Sequence, residues 1–239
     1  MKAVKNINII LENEIIEDGL LVFDKNGEFK HKIGNQGKGP GEYHSVSSFS
    51  VDNENKIIYL LDKVNRKKVI AYSFSGDLIN EFPNDHLDGN FQDILYHNDK
   101  LYLFELIIGG KAKYNWVELD TNGNLTSQKT NSVEQFPAMI TVLIKPVYEF
   151  ENRICYWNLY NDTIFQINNG AFTGRYLFAQ NKYRVPKDKT LDLDPYFIPR
   201  QIIETSEYLF IRTINFSKYE VVIMDKSTGN AMVSGKGES

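Results

Sequence analysis

The 239-residue sequence predicts an all-β fold, a β-propeller of four-stranded antiparallel blades with about five blades visible. Three observations carry that expectation. A polar turn containing glycine recurs at a nearly constant spacing. Further short apolar runs, rich in β-branched and aromatic residues, precede each recurrence. No stretch shows the sustained 3.6-residue periodicity of an amphipathic helix.

The recurring turn appears as LLVFDKNGEF, VIAYSFSGDL, WVELDTNGNL, TIFQINNGAF and VVIMDKSTGNAM. Its glycines, Gly27, Gly76, Gly123, Gly170 and Gly229, are spaced by 49, 47, 47 and 59 residues. Asn-Gly and Ser-Gly supply the positive φ that tight hairpins need. A second apolar run lies upstream in the later units: Ile57 to Leu61, Leu101 to Leu106, Ile154 to Trp157 and Tyr208 to Ile211. A weaker third run precedes it, as at Phe49 to Val51 and Phe91 to Tyr96. A β-sandwich also strings short strands between turns, but does not usually repeat one turn at a fixed interval. The blades fall roughly at 1–36, 37–83, 84–131, 132–180 and 197–239 of one domain, with an insertion over 181–196.

The ends predict an incomplete propeller. The inner strand of the second blade lies 25 to 28 residues before Gly76, and the same offset from Gly27 reaches position 2 at best. The first blade is therefore expected to lack most of its inner strand, and the five blades to form an open arc or a ring with a gap.

Composition narrows the function classes. Lys and Arg number 27 against 31 Asp and Glu, a net charge of −4, and the pI is about 5.7. That balance argues against a nucleic-acid surface, which needs clustered positive charge to neutralise phosphates. A single cysteine, Cys155 in the apolar run RICYW, excludes an internal disulfide and any multi-cysteine metal site. It reads as a buried, inert thiol. No window approaches the roughly 20 apolar residues of a membrane helix. Glu12, Glu14 and Glu17 interrupt what would be the apolar centre of a signal peptide.

The stretch from Ile33 to Phe82 resembles an NHL-type repeat. Val51 and Asp52, Asp62, Asn65 and Arg66, and Tyr72 through Gly76 stand in the places such a repeat prescribes. The segment GKGPGEY, with Gly37, Gly39, Pro40, Gly41, Glu42 and Tyr43, is similar to the hallmark of six-bladed β-propeller proteins of Bacteroidetes. The resemblance implies six blades in the complete family and, since many members are exported lipoproteins, a periplasmic or cell-surface location. It implies little about activity, because the fold is widely reused.

Loops on a rigid scaffold are where binding residues concentrate. In a propeller the connections between blades share a face with the loop between the second and third strands of each blade. GKGPGEYHS and Asn181 to Tyr196 are assigned to the first kind. Asp62 to Lys67, Ile107 to Lys113, Asn158 to Asp162 and Ile214 to Lys218 are the second. Asp62, Asn65, Arg66, Tyr160 and Arg184 are the candidate binding residues on that face, expected near the channel mouth and partly exposed.

Other motifs read as structural. The glycines of GKGPGEY lack the spacing of a phosphate-binding loop, so a sharp inter-blade turn anchored by Tyr43 is expected. The insertion carries Arg184, Lys187, Lys189, Asp192 and Asp194, and two carboxylates fall short of the six to eight oxygens Ca²⁺ takes. His44 and His86 lie in successive connections, but a metal would need a third ligand, with Asp85 or Glu42 nearest in sequence. Trp157 reads as core beside Asn158 and Tyr160, which could stack a sugar or peptide. No G-x-S-x-G or H-E-x-x-H motif is present, so no catalytic or metal residue is assigned.

The sequence thus predicts a non-catalytic binding or scaffolding propeller that recognises a protein, peptide or glycan on its loop-rich face and requires no cofactor. The alternative is a metal-dependent propeller hydrolase or lyase holding Ca²⁺ or Zn²⁺ in the channel. An RNA-binding platform of NHL type is disfavoured by the acidic pI.

Overall fold

The hairpin chemistry of the repeat is written into the backbone. Asp24 opens the first turn: its Oδ1 accepts the amides of Asn26 and Glu28 at 2.8 and 3.0 Å, while the Gly27 amide donates to the Asp24 carbonyl. Asp120 does the same with Asn122, Asn124 and Gly123. Asp225 holds Ser227 and Thr228 ahead of Gly229. In the second repeat the Ser73 hydroxyl takes over, accepting the Asp77 amide. Gly27, Gly76, Gly123 and Gly229 all have positive φ, between 73 and 96°. This is the left-handed region where a Cβ is costly. Gly170 lies outside the described residues.

The computed structural model describes residues 2–4, 7–11, 20–62, 68–83, 88–107, 111–134, 144–159, 161–168, 171–178, 196–215 and 218–234. Among them are five four-stranded antiparallel sheets, each with its strands in chain order. Sheet one is β1 Lys2–Val4, β2 Ile7–Leu11, β3 Leu20–Asp24 and β4 Phe29–Ile33. A two-residue parallel bridge, β5 Asn35–Gln36 with β6 Glu42–Tyr43, follows. Sheet two is β7 Val46–Asp52, β8 Ile57–Asp62, β9 Lys68–Ser73 and β10 Leu78–Pro83. Sheet three is β11 Phe91–His97, β12 Lys100–Glu105, β13 Tyr114–Asp120 and β14 Leu125–Thr130. Sheet four is β15 Val147–Phe150, β16 Arg153–Tyr156, β17 Thr163–Asn168 and β18 Ala171–Leu177. Sheet five is β19 Ile198–Glu204, β20 Tyr208–Asn215, β21 Lys218–Asp225 and β22 Ala231–Val233. Sheet one has all four strands, its first spanning three residues where β7, β11 and β19 span seven.

The chain divides into two compact units, residues 1–105 with 116–128 and residues 106–115 with 129–239. In the first unit, sheet two is buried on both faces. Ile58, Leu60, Ile70 and Tyr72 join Leu20, Val22 and Ile33 of sheet one and Tyr43 in one core cluster. On the other face Tyr59 stacks on Tyr96 of sheet three, with ring centroids 5.4 Å apart and planes 13° from parallel. Burial on both faces explains why β8 and β9 are continuously apolar rather than alternating. Serines stitch the inner strands β7 and β11: Ser47 Oγ donates to the Gln92 carbonyl at 2.7 Å, and the Tyr96 amide to Ser50 Oγ at 2.8 Å.

In the second unit the core gathers Cys155, Trp157, Ile164, Ile198, Ile202, Leu209 and Ile211. Sheet five is packed less completely. Residues 219–224 of β21 are exposed or half-buried, β22 is exposed, and Tyr219 and Met232 stand out at 74% and 66% exposure.

Candidate binding site

The inter-blade linker closes on itself. The Gly37 amide donates to the Tyr43 carbonyl at 2.9 Å, and the Gly39 amide to Glu42 Oε2 at 2.7 Å. A Cβ at Gly37 would overlap the Glu42 carboxylate, so the position admits only glycine without a shift. Gly41, at φ 67°, donates its amide to Glu81 Oε2 at 2.8 Å, and the Tyr72 hydroxyl donates to its carbonyl. Glu81 is paired in turn with the buried Lys68 at 3.0 Å. Tyr43 is buried in the core cluster. Glu42 therefore occupies the place a bound anion would take, and the linker acts as a clasp between sheets one and two.

Asp62 belongs to the same clasp. Its carboxylate accepts the amides of His44 and Ser45 at 2.8 and 2.9 Å, and the residue is only 2% exposed. The sequence placed it on a partly exposed binding face. The structure corrects this, because two linker amides saturate the carboxylate from above and remove it from solvent. Asn65, Arg66, Tyr160 and Arg184 lie outside the described residues, as do His86, Asp85, Asp192 and Asp194. His31 meets the Phe74 carbonyl through Nε2 at 2.9 Å. Trp157 is core at 1% exposure, and burial pushes the Cys155 thiol upward.

The first unit holds an open cleft at the opposite, hairpin end of sheets two and three, with a volume of about 350 Å³. Its walls include Asp52 and Asn55 at the β7–β8 turn, Tyr59 on β8, Asn80 on β10, Asp99 at the β11–β12 turn and Asn122 at the β13–β14 turn. Antiparallel alternation brings all three turns to the same end. Asn98 and Asp99 both have positive φ, 48 and 59°, the conformation of a two-residue hairpin turn.

Asp52 is buried but well held. Its Oδ1 accepts the Glu54 and Asn55 amides at 3.0 Å each, and its Oδ2 the Asn55 side-chain amide at 2.7 Å. Burial alone would raise its pKa, yet these bonds and one with Tyr96 hold it below the ordinary aspartate value. The Tyr96 hydroxyl donates to Asp99 Oδ1 at 2.9 Å, and burial followed by both carboxylates pushes its pKa up. Tyr59 is 3% exposed. Burial first, then the charges of Asp52 and Asp99, raise it to about 12, so its hydroxyl keeps its proton at neutral pH.

A second polar centre lies in the other unit and is built differently. The Glu204 side chain is fully buried, with Arg175 at 2.5 Å and Lys226 at 2.8 Å from Oε1. The hydroxyls of Tyr148 and Tyr176 each donate to it at 2.9 Å. Lys226 also sits 4.4 Å over the Phe150 ring, and Arg175 5.0 Å over Tyr176. Both cations pair with Glu204, while the buried Arg175 Nε makes no hydrogen bond among the described residues.

The sequence reading missed the cleft because it followed loop length, and these residues lie in short turns. The available signal was the pair of acidic turns DNEN at 52–55 and HND at 97–99, on consecutive inner hairpins.

A match to DUF4934, a domain of unknown function, spans residues 2–237. The chain belongs to that family. No curated protein matches it. Among solved structures, this DUF4934 chain is similar to a Bacteroides fragilis protein presumed to be exported. Identity there is 22%, the TM-score is 0.76, and the match covers 98% of this chain and 69% of the other. A DUF4221 family member from Bacteroides vulgatus matches at 11% identity and TM-score 0.61, covering 96% and 80%. The Swd1 β-propeller domain of Myceliophteria thermophila matches at 8% identity and TM-score 0.53, covering 100% and 89%. The fold is a β-propeller of four-stranded blades. Among the described residues there is no helix long and apolar enough to cross a membrane.

Proposed function

We propose that the protein is a non-catalytic binding propeller that recognises a protein, peptide or glycan. The observation that carries this reading is the contrast among its polar groups. Glu42, Asp62 and Glu204 are closed by internal partners, whereas one cleft of about 350 Å³ stays open and is lined by carboxylates, amides and a tyrosine. That volume lies at the lower end of ligand sites. The loop-rich face, with Asn65, Arg66, Tyr160 and Arg184, remains the second surface of the reading.

The finer family assignment, an NHL-like six-bladed propeller marked by Gly37 to Tyr43, is proposed on the motif itself. The closed geometry around Glu42 fits a structural role for this linker. Export to the periplasm or cell surface is proposed on that resemblance and on the exported character ascribed to the Bacteroides fragilis relative.

A glycan and peptide array probed with the purified chain tests the function, together with metal analysis of the same preparation. Saturable binding without a bound ion is the expected result. Stoichiometric Ca²⁺ or Zn²⁺, or turnover of an arrayed ligand, would overturn it in favour of a metal-dependent hydrolase or lyase.

A further inference from the structure

The two faces of sheet five are finished differently. Ile202, Leu209 and Ile211 belong to the core of their unit and are 3% exposed or less. The neighbouring residues point the other way, and register sets Ile203, Phe210, Ile223 and Met232 in one apolar row across all four strands. Ile203 is 49% and Met232 66% exposed. On β20 this row is flanked by Tyr208 on one side and Arg212 on the other, and Arg212 donates to Gln201 at 3.2 Å. An apolar row left open on a sheet face marks an interaction surface.

Sheet two shows what this face meets inside the propeller. Counted back from the residue that opens each glycine turn, Ser73 or Asp225, the equivalent row there is Ser50, Tyr59, Ala71 and Asn80. Ser50, Tyr59 and Ala71 are each 3% exposed. Ser50 Oγ accepts the Tyr96 amide of sheet three, and the Ser48 hydroxyl donates to the Asp93 carboxylate. Small hydroxyl side chains thus let the inner strands β7 and β11 approach closely. In sheet five, Gln201 and Ile203 stand where sheet two has Ser48 and Ser50. Their bulk would hold a following inner strand away, and the isoleucine offers it no hydrogen bond. Such a face suits the packing of side chains on side chains between two sheets about 10 Å apart.

We propose that this face joins two copies of the chain, sheet five against sheet five, about a two-fold axis that runs along the apolar row. The row then meets itself, which is the self-complementarity a two-fold contact requires. The axis also sets Arg212 of each copy over the Tyr208 ring of the other, so cation meets aromatic face and not a second arginine. Four strands about 4.8 Å apart and about 20 Å long give each copy on the order of 400 Å² of face before side-chain relief is counted. Two copies therefore reach roughly 1,000 Å², the lower bound of a specific interface, which fits a weak and reversible dimer.

Sedimentation equilibrium of the full chain between about 1 and 200 µM tests this. The average mass should climb from 27.6 kDa toward twice that and no further, because a two-fold contact closes on itself. Met232→Lys sets like charges against each other on the axis and should weaken association at least about tenfold. Ile203→Lys should do the same from the other end of the row, and keeps the test sound if the first variant folds poorly. Tyr208→Ala should weaken the dimer a few-fold. A mass fixed at 27.6 kDa throughout would overturn the proposal and leave the face to a different protein. Growth past the dimer, or a dimer that both lysine variants leave intact, would overturn it as well. The array result would stand in each case, so failure here is distinguishable from failure of the binding reading.

Discussion

The two buried carboxylates, Glu204 in one unit and Asp52 in the other, resolve the same physical problem in opposite ways. Each would be raised in pKa by its burial, and each is instead held low by hydrogen bonds. Glu204 is answered by two cations and two tyrosine hydroxyls, which close its carboxylate from within. Asp52 is answered only by neutral amides and a tyrosine it shares with Asp99. The comparison teaches that burial of charge does not mark a site. The two differ in access: the Glu204 carboxylate is enclosed, whereas Asp52 lines an open cleft.

The largest expected effect follows from breaking the closed cluster. Glu204→Ala leaves Arg175 and Lys226 without their shared counter-charge in a buried setting, and should cost about 3–5 kcal/mol in urea denaturation. A loss under about 1 kcal/mol would show that solvent reaches the cluster and that the contrast with the cleft is weaker than drawn.

The pH dependence comes next. Burial raises the Glu204 pKa, but bonds from Lys226, Arg175, Tyr176 and Tyr148 outweigh it, so the folded value lies below the ordinary 4.5. A depressed folded pKa contributes stability that is complete above the unfolded value and lost as pH falls through the folded one. Stability should therefore decline below about pH 4.5, and Glu204→Gln should be less stable throughout yet flatter in that window. A variant as steep as the parent would assign the acid sensitivity elsewhere, Asp52 being the first alternative because its folded value also lies low.

Smaller effects are expected at the cleft. Asp52→Ala removes the acceptor for the Glu54 and Asn55 amides and should cost about 1–2 kcal/mol in the same denaturation assay. Tyr59→Phe should change thermal stability by less than about 0.5 kcal/mol, because the residue lines the open cleft and its hydroxyl makes no protein hydrogen bond among the described residues. A loss above about 1 kcal/mol would mean that the hydroxyl has a protein partner.

Much of the fold was legible from short-range chemistry. The D-x-N-G turns at Asp24 and Asp120 form the hairpins their residues prescribe, and the positive φ of Gly27, Gly76, Gly123 and Gly229 follows from the turn alone. Asp62 was legible as important but not in what it does. Nothing local says that the carboxylate ending β8 will be capped by amides 17 and 18 residues earlier in the chain. The cleft was the least legible, since Tyr59 and Asp99 meet only because sheet three packs on one face of sheet two.

By itself, then, the sequence determined the strands, the turns and their repetition, because hairpin chemistry acts over four or five residues and leaves its signature in each repeat. Which charges would be closed and which left open was decided by tertiary structure alone. Arg175, Glu204 and Lys226 are drawn from three separate segments, and Asp52, Tyr96 and Asp99 from two sheets. Charge compensation is a property of groups brought within a few ångströms by packing, and no spacing along the chain encodes that distance.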